Sequence, residues 1–353
     1  MSKMLDEIRQ QPDALERTLK SGLEAARRFR KRLGDRRPRF IILTARGTSD
    51  NAAQLGRYLL EITTGIPVSL SAPSIYTMYG ASVDLKDALV VAVSQSGEST
   101  DINLVLERAV DQGAFTASIT NESESTLAQL SKDVFLVRAG KEKSVAATKT
   151  YTGQVLMFYL LAYALGAPID LEELHRIPDW VMAALNAEPD VAKVVERYRF
   201  MTDTVVVGRG LNYANALEFA LKLKETCYVV AEGFSAADFL HGPIAMVEES
   251  FPVLLFGAGG PTWPSMKQMI ERLHSQKAET LVITDRANTD VPAIANRSIV
   301  LPVKLADRNT WPADLYTPIP YIIPAQIFAA LLAVEKGHDP DQPRALSKVT
   351  RTM

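Results

Sequence analysis

"FIILTARGTSDNAAQLGRYLLE", residues 40–61, is an apolar run, then Arg46-Gly47, then hydroxyl residues, then an amphipathic pattern. "DTVVVGRGLNYANALEFALKLKE", residues 203–225, repeats that order around Arg209-Gly210, at an offset of 163. At the same offset "ALVVAVSQSGEST" (88–100) falls on "FPVLLFGAGGPTW" (251–263). "ASITN" (117–121) then matches "LVITD" (281–285), and "DVFLVRAG" (133–140) matches "SIVLPVKL" (298–305). Four landmarks in one order mark an internal duplication. Each half reads β-α-β-α-β-α-β. Its strands are short, apolar on both faces and β-branched, as buried parallel strands are. The predicted fold class is α/β: two tandem doubly wound parallel-sheet subdomains, with an N-terminal helical segment and a C-terminal tail.

Working outward gives five segments: 1–37 helical, 38–165 the first sheet domain, 166–199 a helical connector, 200–335 the second sheet domain, and 336–353 a tail. The N-terminal segment reads as one or two short helices broken near Pro12. A chain of 353 residues suits about two domains. Its formal net charge is -2, so no broad basic field calls for nucleic acid. One basic cluster, "ARRFRKRLGDRRPRF" (26–40), has two readings: an anion-binding patch, or the solvated C-terminal end of a helix. The single cysteine, Cys227, excludes an intrachain disulfide and a metal site built on several thiolates. No metal motif appears, since His175, His241, His274 and His338 are widely separated. The start, "MSKMLDEIRQQPDALERTLK", is charged and lacks a signal-peptide core. The apolar runs are short of the roughly 20 residues a membrane helix needs. A cytoplasmic protein is expected, with neither membrane nor nucleic acid as partner.

The two halves differ where ligands bind doubly wound sheets, beyond the carboxyl ends of the strands. The first has "SQSGEST" after its second strand and the second has "GAGGPTW". Small hydroxyl donors at a helix N-terminus suit a phosphate, and Gly97 permits a tight turn. Thr48 and Ser49 of "ARGTSD" sit at the neighbouring strand end. The alternative is that Ser99 or Thr100 is a plain N-cap. Neither the G-x-x-x-x-G-K-[ST] nor the G-x-G-x-x-G pattern is present, so nucleotide loops are set aside. A phosphorylated small molecule, bound without metal or cofactor, is the simplest ligand.

Three further places suit chemistry. Leu217, Leu221 and Glu225 recur at spacings of four and share a helix face that ends in a carboxylate, with Lys222 three residues before it. Glu225 is then a general base, or Glu225 and Lys222 are a surface pair. His241 precedes Gly-Pro in "FLHGPIAM" and either points into a cleft or is an ordinary loop histidine. The tail "DPDQPRALSKVTRTM" carries Lys348, Thr350 and Thr352 and either frays or covers a site.

These residues together resemble a known family. "ARGTSDNA", "SQSGEST", "VAATKTY", "ALKLKETCYVVAEGFSAADFLHGP" and "DQPRALSKVT" match, in order, the sugar-isomerase (SIS) domain family in its double-domain form. The chain resembles the isomerase half of glucosamine-6-phosphate synthase, and more closely the stand-alone glucosamine-6-phosphate deaminases. The resemblance implies two flavodoxin-like subdomains and a sugar phosphate cradled by Thr48, Ser49, Ser94, Gln95, Ser96 and Ser99. It implies that Glu225 moves a proton between C1 and C2, with Lys222 close by. It implies that His241 opens the sugar ring in the site of the neighbouring subunit of a homodimer. Lys348 then contacts the open-chain sugar and can form an imine, Val145 lines the sugar site, and Ser347 is a weaker candidate. The implied activity releases fructose 6-phosphate and ammonia from glucosamine 6-phosphate, without cofactor. Alternatives are a deglycase for fructosamine 6-phosphates, a galactosamine-6-phosphate deaminase, ammonia-dependent synthesis, or a non-catalytic sensor. The synthase carries a glutaminase domain before this region, whereas this chain starts at its helical segment, so glutamine is not the expected nitrogen donor. Ala147 stands where the synthase usually has serine.

Overall fold

The computed structural model describes residues 2–305 and 311–348. Thr350 and Thr352 of the tail lie outside the described residues. The chain forms two compact units. One comprises residues 13–142, 149–175 and the tail from Leu346. The other comprises the N-terminal residues to Pro12, Lys143–Thr148 and Arg176–Ala345.

The first unit is built on a parallel sheet. Its strands are β1 (Phe40–Thr44), β2 (Val68–Leu70), β3 (Ala88–Val93), β4 (Phe115–Thr120) and β5 (Asp133–Leu136), in the order β2-β1-β3-β4-β5. This is the flavodoxin-like order, with its switch point between β1 and β3. Every residue of β3 is buried, as expected of a central strand with helices on both faces. Below one face lie Ile42, Val90, Ile102, Val105 and Leu106. On the other, the helices Thr48–Thr64 and Lys149–Ala164 approach closely because Gly56 has no side chain. A Cβ there would stand 2.5 Å from the Phe158 ring. The long helix Gln11–Leu33 joins this unit through Phe29, edge-on to Phe135 of β5 at 5.9 Å.

The basic cluster at the end of that helix is engaged with the fold. Arg36 donates to the carbonyls of Arg32 and Leu33, and Arg37 donates to that of Thr64 at 2.6 Å. Arg32 pairs with Asp133. The Arg36 and Arg37 guanidiniums satisfy carbonyls left open at two helix C-termini.

The second unit repeats the plan with β6 (Asp203–Gly208), β7 (Val230–Ser235), β8 (Pro252–Phe256), β9 (Glu279–Asp285) and β10 (Arg297–Leu301). Their order, β10-β9-β8-β6-β7, is the same as that of the first sheet. Val205, Val207, Val253, Leu255, Ile270 and Leu273 form part of its core. The helix Pro318–Glu335 is apolar and long enough to pass for a membrane span by composition, contrary to the expectation of short apolar runs. Its apolar stretch is 83% buried inside the unit. Phe328 packs edge-on against Phe219 at 5.6 Å, and Ala329 O accepts a bond from the Cys227 thiol. Burial also pushes that thiol up to about 11, which suits an inert core position.

The N-terminal stretch divides near Pro12. The helix Lys3–Arg9 belongs with the second sheet, where the Asp341 carboxylate accepts from Ser2 Oγ, Lys3 N and Met4 N. Buried Glu7 accepts from the backbone N–H groups of Lys143 and Ser144, which holds the loop 143–148 in the same unit.

Candidate functional site

The hydroxyl-rich loop expected to hold an oxyanion lies in the first unit, after β3. β1 and β3 are neighbours at the switch point, so the loops that follow them adjoin. Each loop leads into a helix, Thr48–Thr64 after β1 and Thr100–Asp111 after β3. Neither helix has a side-chain cap at its N-terminus. Ser99 occupies the N-cap position of the second helix, yet its hydroxyl makes no capping bond. It lies instead 3.4 Å from Ser94 Oγ. The plain N-cap reading therefore does not describe Ser99. In the first helix the N–H groups of Ser49, Asp50 and Asn51 donate to the Arg46 and Gly47 carbonyls, and in the second Ile102 N donates to Asp101 Oδ1, so the positive end of each helix dipole is what favours an anion there.

The loop is held stiffly. Ser94 is buried and its Oγ accepts from Gly97 N at 3.1 Å. Half-buried Ser96 accepts from Glu98 N. The backbone carbonyl of Gln95 accepts from Asn121 N and from Thr120 Oγ1. Gly97 has φ of 68°, and a Cβ there would stand 2.2 Å from Ser125 Oγ, so glycine is required twice over. In the β1 loop, Ser49 is buried and accepts from Gln154 Nε2, while Thr48 is half-buried. Arg46 clasps buried Asp101 at 2.8 Å and so links the two loops.

The equivalent crevice of the second unit is closed by its own chain. Asn212, after β6, donates to Thr317 Oγ1, and Asn215 donates to Pro318 O. Thr262, after β8, donates to buried Asp314. The segment 314–318 thus bonds to the loops beyond both strands. This is a physical reason why "GAGGPTW" carries fewer hydroxyls than "SQSGEST".

The tail lysine lies in the first unit. Lys348 Nζ is 3.2 Å from Oε2 of Glu142, a carboxylate with no exposed surface. The same carboxylate accepts from Thr150 N and Thr150 Oγ1. Ser347, next to Lys348, is exposed. Glu142 was not singled out in the sequence. It lies 206 residues from Lys348, and no local period marks it.

The other candidates lie in the second unit. Lys222 is 1% exposed on the helix Tyr213–Cys227. Its Nζ sits 2.5 Å from Glu225 and 3.4 Å from Glu218, and the Glu218 side chain is fully buried. The surface-pair reading therefore fails, because the lysine is in the interior. Glu225 is 22% exposed, and Leu217 and Leu221 on its face are half-buried. Glu218 was missed, although its i,i+4 spacing to Lys222 is readable. His241 follows the short helix Ala236–Leu240 and is exposed. Its ring makes no hydrogen bond among the described residues. Val145 is half-buried, and its N–H donates to Asp341 O. Among the described residues no group of three or more His, Cys, Asp or Glu side chains is arranged to hold a metal.

The class defined by this architecture is a duplicated doubly wound α/β protein, with a hydroxyl-rich loop at the switch point of its first sheet only. The chain belongs to the SIS-domain family: the SIS domain model matches residues 36–164 and again 203–333. The glutamine–fructose-6-phosphate aminotransferase [isomerizing] of Methanothermobacter thermautotrophicus is 32% identical over 345 residues. That match takes in 98% of this chain and 56% of the relative, so the chain spans little more than half the relative's length. Among solved structures, the C-terminal domain of glucosamine-fructose-6-phosphate aminotransferase from Francisella tularensis is similar with a TM-score of 0.85 and 28% identity, covering 97% of this chain and 98% of that one. Glucosamine-6-phosphate deaminase from Thermotoga maritima shares the fold with a TM-score of 0.75 at 22% identity, over 99% of this chain and 100% of that one.

Proposed function

We propose that the chain is an isomerising amino-sugar-phosphate deaminase, which converts glucosamine 6-phosphate to fructose 6-phosphate and ammonia. The observation that carries this reading is buried Lys222 between Glu218 and Glu225. A buried ion pair is weak as a device for stability, and buried ionisable clusters concentrate at functional sites. Here the cluster presents one partly exposed carboxylate, Glu225, held by a cation.

In the proposed reaction, the hydroxyls of Ser94, Ser96 and Ser99 hold the 6-phosphate, with the open N–H groups at the start of Thr100–Asp111. Gln95, Thr48 and Ser49 complete the cradle, and Val145 and Ser347 border the sugar. His241 of a second copy of the chain opens the ring. This requires a homodimer, and it suits a histidine that is exposed on a rigid turn. Glu225 takes the proton from C2 and returns it to C1, which leaves an imine at C2. Water adds to that carbon, ammonia leaves, and fructose 6-phosphate remains. Lys348 contacts the open-chain carbonyl end. A positioned general base contributes roughly 10²–10⁴-fold.

Glu225→Gln tests the reading. It removes the base and keeps the shape, so kcat falls at least about a hundredfold with KM nearly unchanged. Normal turnover in that variant would overturn the assignment. A second reading, synthesis in the reverse direction, is favoured by the higher identity to the aminotransferases. Net formation of glucosamine 6-phosphate from fructose 6-phosphate and ammonia distinguishes it.

A further inference from the structure

The helix that carries Glu225 ends at Tyr228, in the left-handed conformation with φ of 54°. Glycine is the usual residue at such a C-terminal position, and a bulky side chain there is an outlier worth a cause. Tyr228 has one. The Arg344 guanidinium lies 3.9 Å over its ring. The Arg344 backbone N–H donates to the Tyr228 hydroxyl at 2.9 Å. The His338 ring packs edge-on against the same ring at 4.7 Å. Burial, with Arg344 and Lys336 adding to it, lowers the His338 pKa. Three groups from the start of the tail thus meet one side chain at the end of the Glu225 helix.

From Arg344 the chain turns through Ala345, itself at φ of 57°, and continues through exposed Leu346 and Ser347 to Lys348. Four residues span at most about 13–14 Å. Arg344 therefore tethers Lys348 by no more than that length of chain.

We propose that Tyr228 and Arg344 form a latch that positions the C-terminal tail, and with it Lys348. Both are positioning residues, acting through Lys348, and the inference rests on the reading of Lys348 as the group that meets the sugar. Tyr228→Phe keeps the ring stack and loses one acceptor, whereas Arg344→Ala and Tyr228→Leu lose the stack.

The test uses the full chain and two readouts. In Arg344→Ala and Tyr228→Leu, kcat on glucosamine 6-phosphate falls about ten- to a hundredfold, with KM within about threefold because the phosphate loop is untouched. Tyr228→Phe stays within about threefold of the parent. Backbone hydrogen exchange at residues 346–348 speeds up in the first two variants, while the helix Tyr213–Cys227 exchanges as before. Unchanged exchange at 346–348 in Arg344→Ala would overturn the latch. Faster exchange there with unchanged kcat would overturn its positioning role. If the parent chain does not turn over glucosamine 6-phosphate, the deaminase reading fails, and the exchange measurement still decides the latch.

Discussion

Replacing Lys222 by methionine separates what the buried ion cluster does for the fold from what it does for the chemistry. Lys222 is 1% exposed and Glu218 is fully buried, so the variant leaves the Glu218 carboxylate in the interior without its lysine. Breaking a buried pair from one side costs about 3–5 kcal/mol. Glu225, at 22% exposed, is partly screened by solvent and adds little to that figure. For a unit of this size, each kcal/mol lowers the melting temperature by about 2–4 °C. Thermal unfolding followed by circular dichroism then shows the second unit melting roughly 6–20 °C lower. Turnover, measured as ammonia release below that transition, falls at least about a hundredfold because Glu225 has lost the cation that orients it. Adding Glu218→Gln removes the stranded charge and returns most of the melting temperature. It does not return turnover. Lys222→Met melting within about 2 °C of the parent, with kcat within about threefold, would refute the reasoning on both counts.

Other perturbations probe the remaining parts. Gly97→Ala forces a Cβ to 2.2 Å from Ser125 Oγ at a φ of 68°, so the loop must move; KM for the sugar phosphate rises at least about tenfold, and unchanged saturation kinetics would count against the cradle. Ser96→Ala removes one phosphate donor and raises KM about three- to thirtyfold with kcat largely kept, as initial-rate kinetics would show. Asp341→Ala strips the carboxylate that caps the helix Lys3–Arg9 through three donors; stability falls by about 0.5–2 kcal/mol, read from the urea midpoint. An unmoved midpoint would mean that the cap is not used in solution.

The duplication made the two sheets legible. β1 and β6, and likewise β3 and β8, are apolar runs that repeat with their following loops, which marked two parallel sheets; the three-residue β2 and the part-exposed β7 carry no such run, so each half read as four strands where the sheet has five. The hydroxyl-rich loop stood out for the same reason, since it is a place where the copies differ. What could not be read lies in contacts between residues far apart in the chain. Glu218, Lys222 and Glu225 have the spacing of a solvated charged face, and only the tertiary structure shows that the lysine is inside. The helix Pro318–Glu335 carries Pro318, Pro320 and Pro324. The two at its start are tolerated because the first turn needs no N–H donors. Glu142 meets Lys348, Glu7 meets Lys143 and Ser144, and Asp314 meets Thr262. Each pairing depends on how the chain folds back, and no local period reports it.

The most direct test of the account supplies the purified chain with glucosamine 6-phosphate and measures ammonia and fructose 6-phosphate together, beside galactosamine 6-phosphate and a fructosamine 6-phosphate. The account predicts equal amounts of ammonia and fructose 6-phosphate from glucosamine 6-phosphate, and loss of both in Glu225→Gln. Saturable binding of glucosamine 6-phosphate with no ammonia released, or release that survives Glu225→Gln, would contradict it.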